Sequence, residues 1–176
     1  MASAGEKVLE SRSVYQGRKV HLRVDTVALP TGRTAVREIV SVPQAAVIVP
    51  LTEDGRVHLV RQYRAAVGSY LLELPAGTFN AAEEPLACAK RELAEEIGRQ
   101  ANDWQLITSF HSMPGICDEV LHLFLARQLA PAESHPDPDE LIEVVTMPLS
   151  EAVALVRSGV LRDAKSIVGL LLVAGR

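Results

Sequence analysis

Residues 77–98 read GTFNAAEEPLACAKRELAEEIG, and the fold follows from how that stretch must arrange itself. Pro85 stands where a helix accepts its first residue, because a helical N-terminus leaves that N–H without a partner anyway. Gly98 stands where a helix ends, since glycine takes the left-handed terminal conformation without a Cβ penalty. Between them LACAKRELAEEI has no breaker and is rich in strong helix formers. At about 100° per residue, Leu86, Leu93 and Ile97 share a line and are expected to face a core. Glu92, Glu95 and Glu96 share the neighbouring line, with side chains roughly 5–6 Å apart. Two such charges 5 Å apart repel by roughly 3 kcal/mol at an effective dielectric of about 20. Such a ridge either lies in solvent, as most charged residues do, or carries a cation. Mg²⁺ is the first candidate, a hard ion that takes oxygen ligands and shares them with substrate phosphates.

The wider spacing favours the cation. Gly77, Glu83, Arg91-Glu92-Leu93, Glu95-Glu96 and Gly98 resemble, position by position, the signature of the Nudix hydrolases. One position departs: Arg99 stands where that signature has an aliphatic residue. The resemblance implies Glu92 and Glu96 as the main metal ligands, with Glu95 and the backbone carbonyl of Ala76 as further ones. It implies two or more Mg²⁺ ions, with Mn²⁺ or another divalent ion able to substitute. Arg91 and Glu83 would form an ion pair that holds a loop-helix-loop in shape, framed by Gly77 and Gly98.

Outward from the helix, the pattern is mostly strand. Residues 1–10 read as a loose polar start. VYQGRKVHLRVDTVAL, residues 14–29, alternates as a half-buried strand does. Pro30-Thr31-Gly32 is a tight turn and TAVREIVSV a return strand, making residues 14–42 an antiparallel hairpin. QAAVIVPL, residues 44–51, is a continuous apolar run expected to be buried on both faces. RVHLVRQYR is a strand, and LLEL at 71–74 is a short strand entering Pro75-Ala76-Gly77. Residues 104–110 and 120–128 read as strands around HSMPGICDE. PAESHPDPDE, residues 131–140, is an acidic, proline-rich surface loop. LIEVVTMPL is a strand, Ser150 is the expected cap of a helix ended by Gly159, and a last helix covers residues 163–174.

Strands and helices interleave without regular alternation, which favours an α/β chain with a mixed sheet and helices packed on its faces. The resemblance implies a Nudix-type αβα sandwich. Residues 1–42 would be an N-terminal hairpin extension for dimerisation and base binding, and residues 43–176 the Nudix domain.

Beyond the signature, LVRQYR, LLELPAG, MPGICDE and DELIEVV are similar to the ADP-ribose pyrophosphatases and related nucleoside diphosphate sugar hydrolases. Many of these read Ser-Pro-Gly where this chain has Met113-Pro114-Gly115, and the proline marks the ADP-ribose-cleaving group. The resemblance implies Arg64 on the substrate, with Arg61, Arg37, Pro114 and Gly115 as further substrate contacts and Glu73 at the mouth of the site. It implies Glu140 as general base beside the catalytic Glu92 and Glu96, with Asp139 as the alternative. A loop carrying the base can swing in when substrate binds. The implied reaction splits ADP-ribose into AMP and ribose 5-phosphate. Another nucleoside diphosphate sugar, a dinucleotide, an oxidised nucleotide, or a non-catalytic ligand-sensing role are the alternatives. In relatives, N-terminal strands of a second subunit help to build the base pocket, which implies a homodimer.

Composition bounds the rest. The chain has 176 residues, enough for one domain with a substantial core. A net charge of −4 offers no electrostatic footprint for nucleic acid or anionic membrane. A phosphate-bearing substrate must therefore be met by local arginines or through metal. Cys88 and Cys117 are the two cysteines and are expected as buried thiols, not as a disulfide or zinc site. The five histidines have no ligand spacing. No apolar leader or membrane-length apolar run is visible, so a cytoplasmic protein is expected.

Overall fold

The computed structural model describes residues 5–133 and 141–175. Glu140, Asp139 and His135 lie outside the described residues. The chain divides into two compact units, residues 1–43 with 111–120, and residues 44–110 with 121–176.

The first unit is built on a three-stranded antiparallel sheet, β1 (Lys7–Gln16), β2 (His21–Ala28) and β3 (Thr34–Ser41), in the order β1-β2-β3. The expected loose start and two-stranded hairpin are thus corrected. Residues 14–29 are two strands broken by a turn that Gly17 N–H closes on the Val20 carbonyl. Every residue of β1 is exposed, so it has no inward face and leaves no hydrophobic period to read. Backbone pairing with β2 alone defines it, with irregularities at Val8/Glu10 and Ser13/Tyr15. The segment 111–120 docks on β3, where Val40 N–H donates to the Ile116 carbonyl and Asp118 N–H to the Val40 carbonyl.

The second unit is an α/β sandwich around β4 (Ala45–Pro50), all six residues of which are buried. β4 lies between β7 (Ala76–Thr78), antiparallel to it, and β9 (Val120–Pro131), parallel to it; β8 (Arg99–His111) follows β9. A second sheet runs β10 (Ile142–Pro148), β5 (Arg56–Arg64), β6 (Ser69–Glu73). Side chains alternate along β4. Ala45, Val47 and Val49 point into a cluster with Ala152 and Val153 of α2 (Leu149–Arg157) and Leu170 and Val173 of α3 (Ala164–Ala174). Ala46 and Ile48 meet Cys88, Ala89, Leu93 and Ile97 of α1 (Pro85–Ile97) on the other face. The continuous apolar run therefore serves two helical layers, as expected.

Two local expectations shift. Leu86 is 38% exposed, because the buried face of α1 turns toward Cys88, Ala89, Glu92 and Glu96 and leaves Leu86 at its edge. The helix thereby buries its glutamates along with its small residues. Ser150 is not a cap: α2 starts at Leu149 directly from Pro148, which has no side-chain capping bond. The β7 strand at 76–78 is also absent from the sequence reading, its three residues being too few to show a period.

Candidate active site

Helix α1 begins at Pro85 and ends at Gly98, whose φ of 63° is left-handed and whose N–H closes on the Ala94 carbonyl. That helix holds Glu92 and Glu96, each 8% exposed, one turn apart against the 76–77 backbone. Glu96 Oε2 accepts from the Ala76 N–H at 3.1 Å. The Glu92 carboxyl lies over Gly77 so closely that a Cβ there would overlap it. Strand β7 and the helix thus clasp two carboxylates between them, and the absence of a side chain at residue 77 makes the room.

Arg91 organises the surrounding loop. Its Nε and Nη2 donate to the two oxygens of Glu83 at 2.9 and 2.8 Å, and Nη2 also reaches the Thr78 carbonyl at 3.1 Å. Its Nη1 donates to Glu92 Oε1 at 2.5 Å and to Glu95 Oε2 at 2.9 Å. Glu83 in turn accepts from the Asn80 N–H at 2.8 Å, closing the loop onto the helix. The Arg91 bonds hold the Glu83 carboxyl down at about 2, against the opposing effect of burial. The Cys88 thiol is pushed up to about 12, first by burial and then by the charge of Glu92. Cys88 and Cys117 are both free and buried, as expected.

The fit to a divalent cation rests on this donor set. Two buried, charge-bearing carboxylates sit on a glycine cradle, and hard oxygen ligands suit Mg²⁺. Among the described residues no three carboxylate, imidazole or thiol groups converge as a closed metal cage. Glu92 and Glu95 are both drawn to Arg91, which neutralises part of the repulsion that the sequence predicts for the ridge.

Arg64, at the end of β5, grips Glu73 on β6 with two bonds, Nε to Oε1 at 2.7 Å and Nη2 to Oε2 at 2.8 Å. Glu73 is 1% exposed, so the expected place at the mouth of a site is corrected to a buried one. Its partners dictate this, since a buried carboxylate needs compensating cations. Lys165 on α3 supplies the second one. Burial would raise the Glu73 carboxyl, but Arg64 and Lys165 outweigh it and hold the group below its ordinary range. The charge of Glu96 also acts on Arg64, which ties this pair electrostatically to the helical carboxylates. Arg61 lies further out, bonded to Glu143 at 3.1 Å with its guanidinium 4.5 Å from the centre of the Tyr70 ring.

No motif in the sequence points to Lys165 or Ser166, and Asp163 shows there only as the start of the last helix. Asp-x-x-Ser is an N-cap signal, and Asp163 does cap α3 by accepting from Ser166 N–H at 3.0 Å. Nothing local indicates that Lys165 reaches a carboxylate on β6.

In the first unit, Arg37, Pro114 and Gly115 line one cavity of about 470 Å³ together with Arg23, His111 and Asp118. Arg37 donates to both oxygens of Glu6, at 2.5 and 3.1 Å. Arg23 donates to Ser41 at 2.8 Å, and Ser41 to Asp118 at 2.6 Å, binding the 111–120 segment to the sheet. Two of the described histidines tie elements together: His58 is buried against Thr146, and His122 bridges Ser109 and Gln44.

An α/β sandwich whose helix presses paired glutamates onto a glycine turn is a frame for metal-assisted attack on a phosphoanhydride. The chain belongs to the Nudix domain family, whose model matches residues 42–168, and is a Nudix pyrophosphohydrolase. A second model, described as the nucleoside diphosphate sugar hydrolase N-terminal domain, matches residues 6–40. The chain is 38% identical to an ADP-ribose pyrophosphatase of Bacillus subtilis, over 94% of this chain and 91% of that protein. It is 34% identical to a methanol dehydrogenase activator of Bacillus methanolicus, over 94% and 90% respectively. A solved structure described as an ADP compounds hydrolase superposes with a TM-score of 0.89 at 25% identity, covering 99% of this chain and 95% of its own.

Proposed function

We propose that this protein hydrolyses the diphosphate of ADP-ribose to AMP and ribose 5-phosphate. The observation that carries this is the pair Glu92 and Glu96, buried on the Gly77 and Ala76 backbone, with the charge of Glu96 acting on the Arg64 guanidinium. Similarity to an ADP-ribose pyrophosphatase and to an ADP compounds hydrolase supports the substrate.

Nudix hydrolases generally use divalent metal ions. Here Glu92, Glu96, Glu95 and the Ala76 carbonyl would hold two or more Mg²⁺ ions, with Mn²⁺ able to substitute. When bound, such ions offset diphosphate charge and lower the pKa of a coordinated water. Arg64 orients the diphosphate, with Arg61 at the rim, and a guanidinium suits that task because its donors form a rigid fork. Arg91 and Glu83 keep the helix and its loop in register. Glu140 takes the proton of the attacking water, with Asp139 as the alternative. Water adds across the P–O–P bridge, one phosphoanhydride P–O bond breaks, and two phosphomonoesters leave.

Residues 1–42 act as an N-terminal extension for dimerisation and base binding, and Arg37, Pro114 and Gly115 are further substrate contacts. Exposed Val8, Leu9, Val14, Tyr15 and Val36 on its sheet suit a covering second copy. A cytoplasmic setting suits a soluble nucleotide substrate, and no described helix is long and apolar enough to cross a membrane. The second reading is another nucleoside diphosphate sugar, favoured by the model matched at residues 6–40.

The test is product analysis over a substrate panel with Mg²⁺. AMP and ribose 5-phosphate should form one-to-one from ADP-ribose at the highest kcat/KM of the panel. Glu92→Gln and Glu96→Gln should each keep the fold and lose most turnover; full activity of either at saturating Mg²⁺ refutes the metal assignment.

A further inference from the structure

The Arg64–Glu73 pair has a third member that the reaction as described does not use. Lys165 Nζ bonds Glu73 Oε2, the same oxygen that receives Arg64 Nη2, and lies 3.0 Å from Asp163 Oδ2. The Lys165 side chain is only 15% exposed, so this is an interior pair and not a surface one. Its root is anchored twice. Asp163 caps α3, and Ser166 Oγ donates to Asp163 while accepting from the Leu74 N–H at 2.6 Å. The first turn of α3 is thereby tied to the residue that follows Glu73.

We propose that Lys165 is a positioning residue for substrate binding, acting through Glu73 to aim Arg64 and to keep its positive charge available to a diphosphate. This rests on the reading of Arg64 as a substrate contact. Two cations and two carboxylates, Arg64, Lys165, Glu73 and Asp163, balance one another. Without Lys165 a net negative charge remains beneath Arg64 and beside Glu96, which opposes an anionic ligand. With Nε–H and one Nη2 hydrogen committed to Glu73, Arg64 keeps its far edge, Nη1 and the second Nη2 hydrogen, for substrate. The aim of that edge is therefore set by Glu73, and that of Glu73 by Lys165.

The experiment is a double-mutant cycle on Lys165 and Arg64, with kcat and KM read separately. Lys165→Met should raise KM about tenfold or more with little change in kcat, the size expected when a charge-assisted bond to a buried group is lost. Lys165→Arg should restore KM. In an Arg64→Ala background Lys165→Met should add almost nothing. Equal losses in both backgrounds, or a fall in kcat alone, overturn the proposal. If the wild-type protein turns over no substrate of the panel, the functional reading fails separately and the side-chain Nε–H of Arg64 becomes the readout. Its solvent exchange by NMR should be slow in the wild type and Lys165→Arg and faster in Lys165→Met; an unchanged rate in Lys165→Met overturns the proposal.

Discussion

The carboxyl group of Glu92 occupies the space in which a side chain on residue 77 would have to begin. Glycine at that position is therefore a requirement of the carboxylate, not of the backbone turn, and the helix and the strand are matched to each other across it.

Gly77→Ala should therefore act on chemistry more than on folding. The added methyl group must push Glu92 off the 76–77 backbone, and a displacement of about 1 Å in a catalytic group costs roughly 100-fold in rate. We expect kcat to fall by about that factor while circular dichroism and the unfolding midpoint change little. Steady-state kinetics beside a thermal melt checks this.

Acid should weaken the loop through Glu83. Its carboxyl is held at about 2 against an ordinary 4.5, so the folded state binds its proton less readily than the unfolded one. A depressed acid contributes stability that is complete above about 4.5 and is lost as pH falls toward about 2. Urea unfolding between pH 6 and pH 2.5 should show Glu83→Gln less stable than wild type at the upper end. The difference should shrink as pH falls through that window. A constant difference at every pH would sink the assignment of Arg91 as its partner.

Helix α3 depends on a close approach to the sheet. A Cβ on Gly169 would come within 2.5 Å of Leu74 Cδ1 and 3.1 Å of Leu123 Cδ1, both side chains being fully buried. Gly169→Val should destabilise the protein by about 2 kcal/mol, since a close-packed core accommodates extra methyl groups only with strain. Chemical denaturation reads this directly, and no loss would mean that the helix can lift off the sheet freely.

Much of this molecule is legible in its sequence. Pro85 and Gly98 bound α1 because capping is local chemistry, decided within a few residues. QAAVIVPL announced a strand buried on both faces because a period-2 element with no polar face has nowhere else to go. The spacing of Glu92, Glu95 and Glu96 placed three carboxylates on one side of a helix by geometry alone. Other features left no local trace. Strand β1 has no buried face, and β7 is three residues long, so neither carries a readable period.

What the sequence by itself determined is the chemical equipment: an acidic helix of defined length, a glycine turn before it, and arginines on a neighbouring strand. Tertiary structure decided which groups face one another. It lowered Glu92 onto Gly77, brought Glu96 to the Ala76 N–H, buried Glu73, and carried Lys165 across to it. The reason is one of range. Helix caps and strand periods depend on neighbours in the chain, whereas a salt bridge between β6 and α3 depends on how two separate elements pack, which no local pattern encodes.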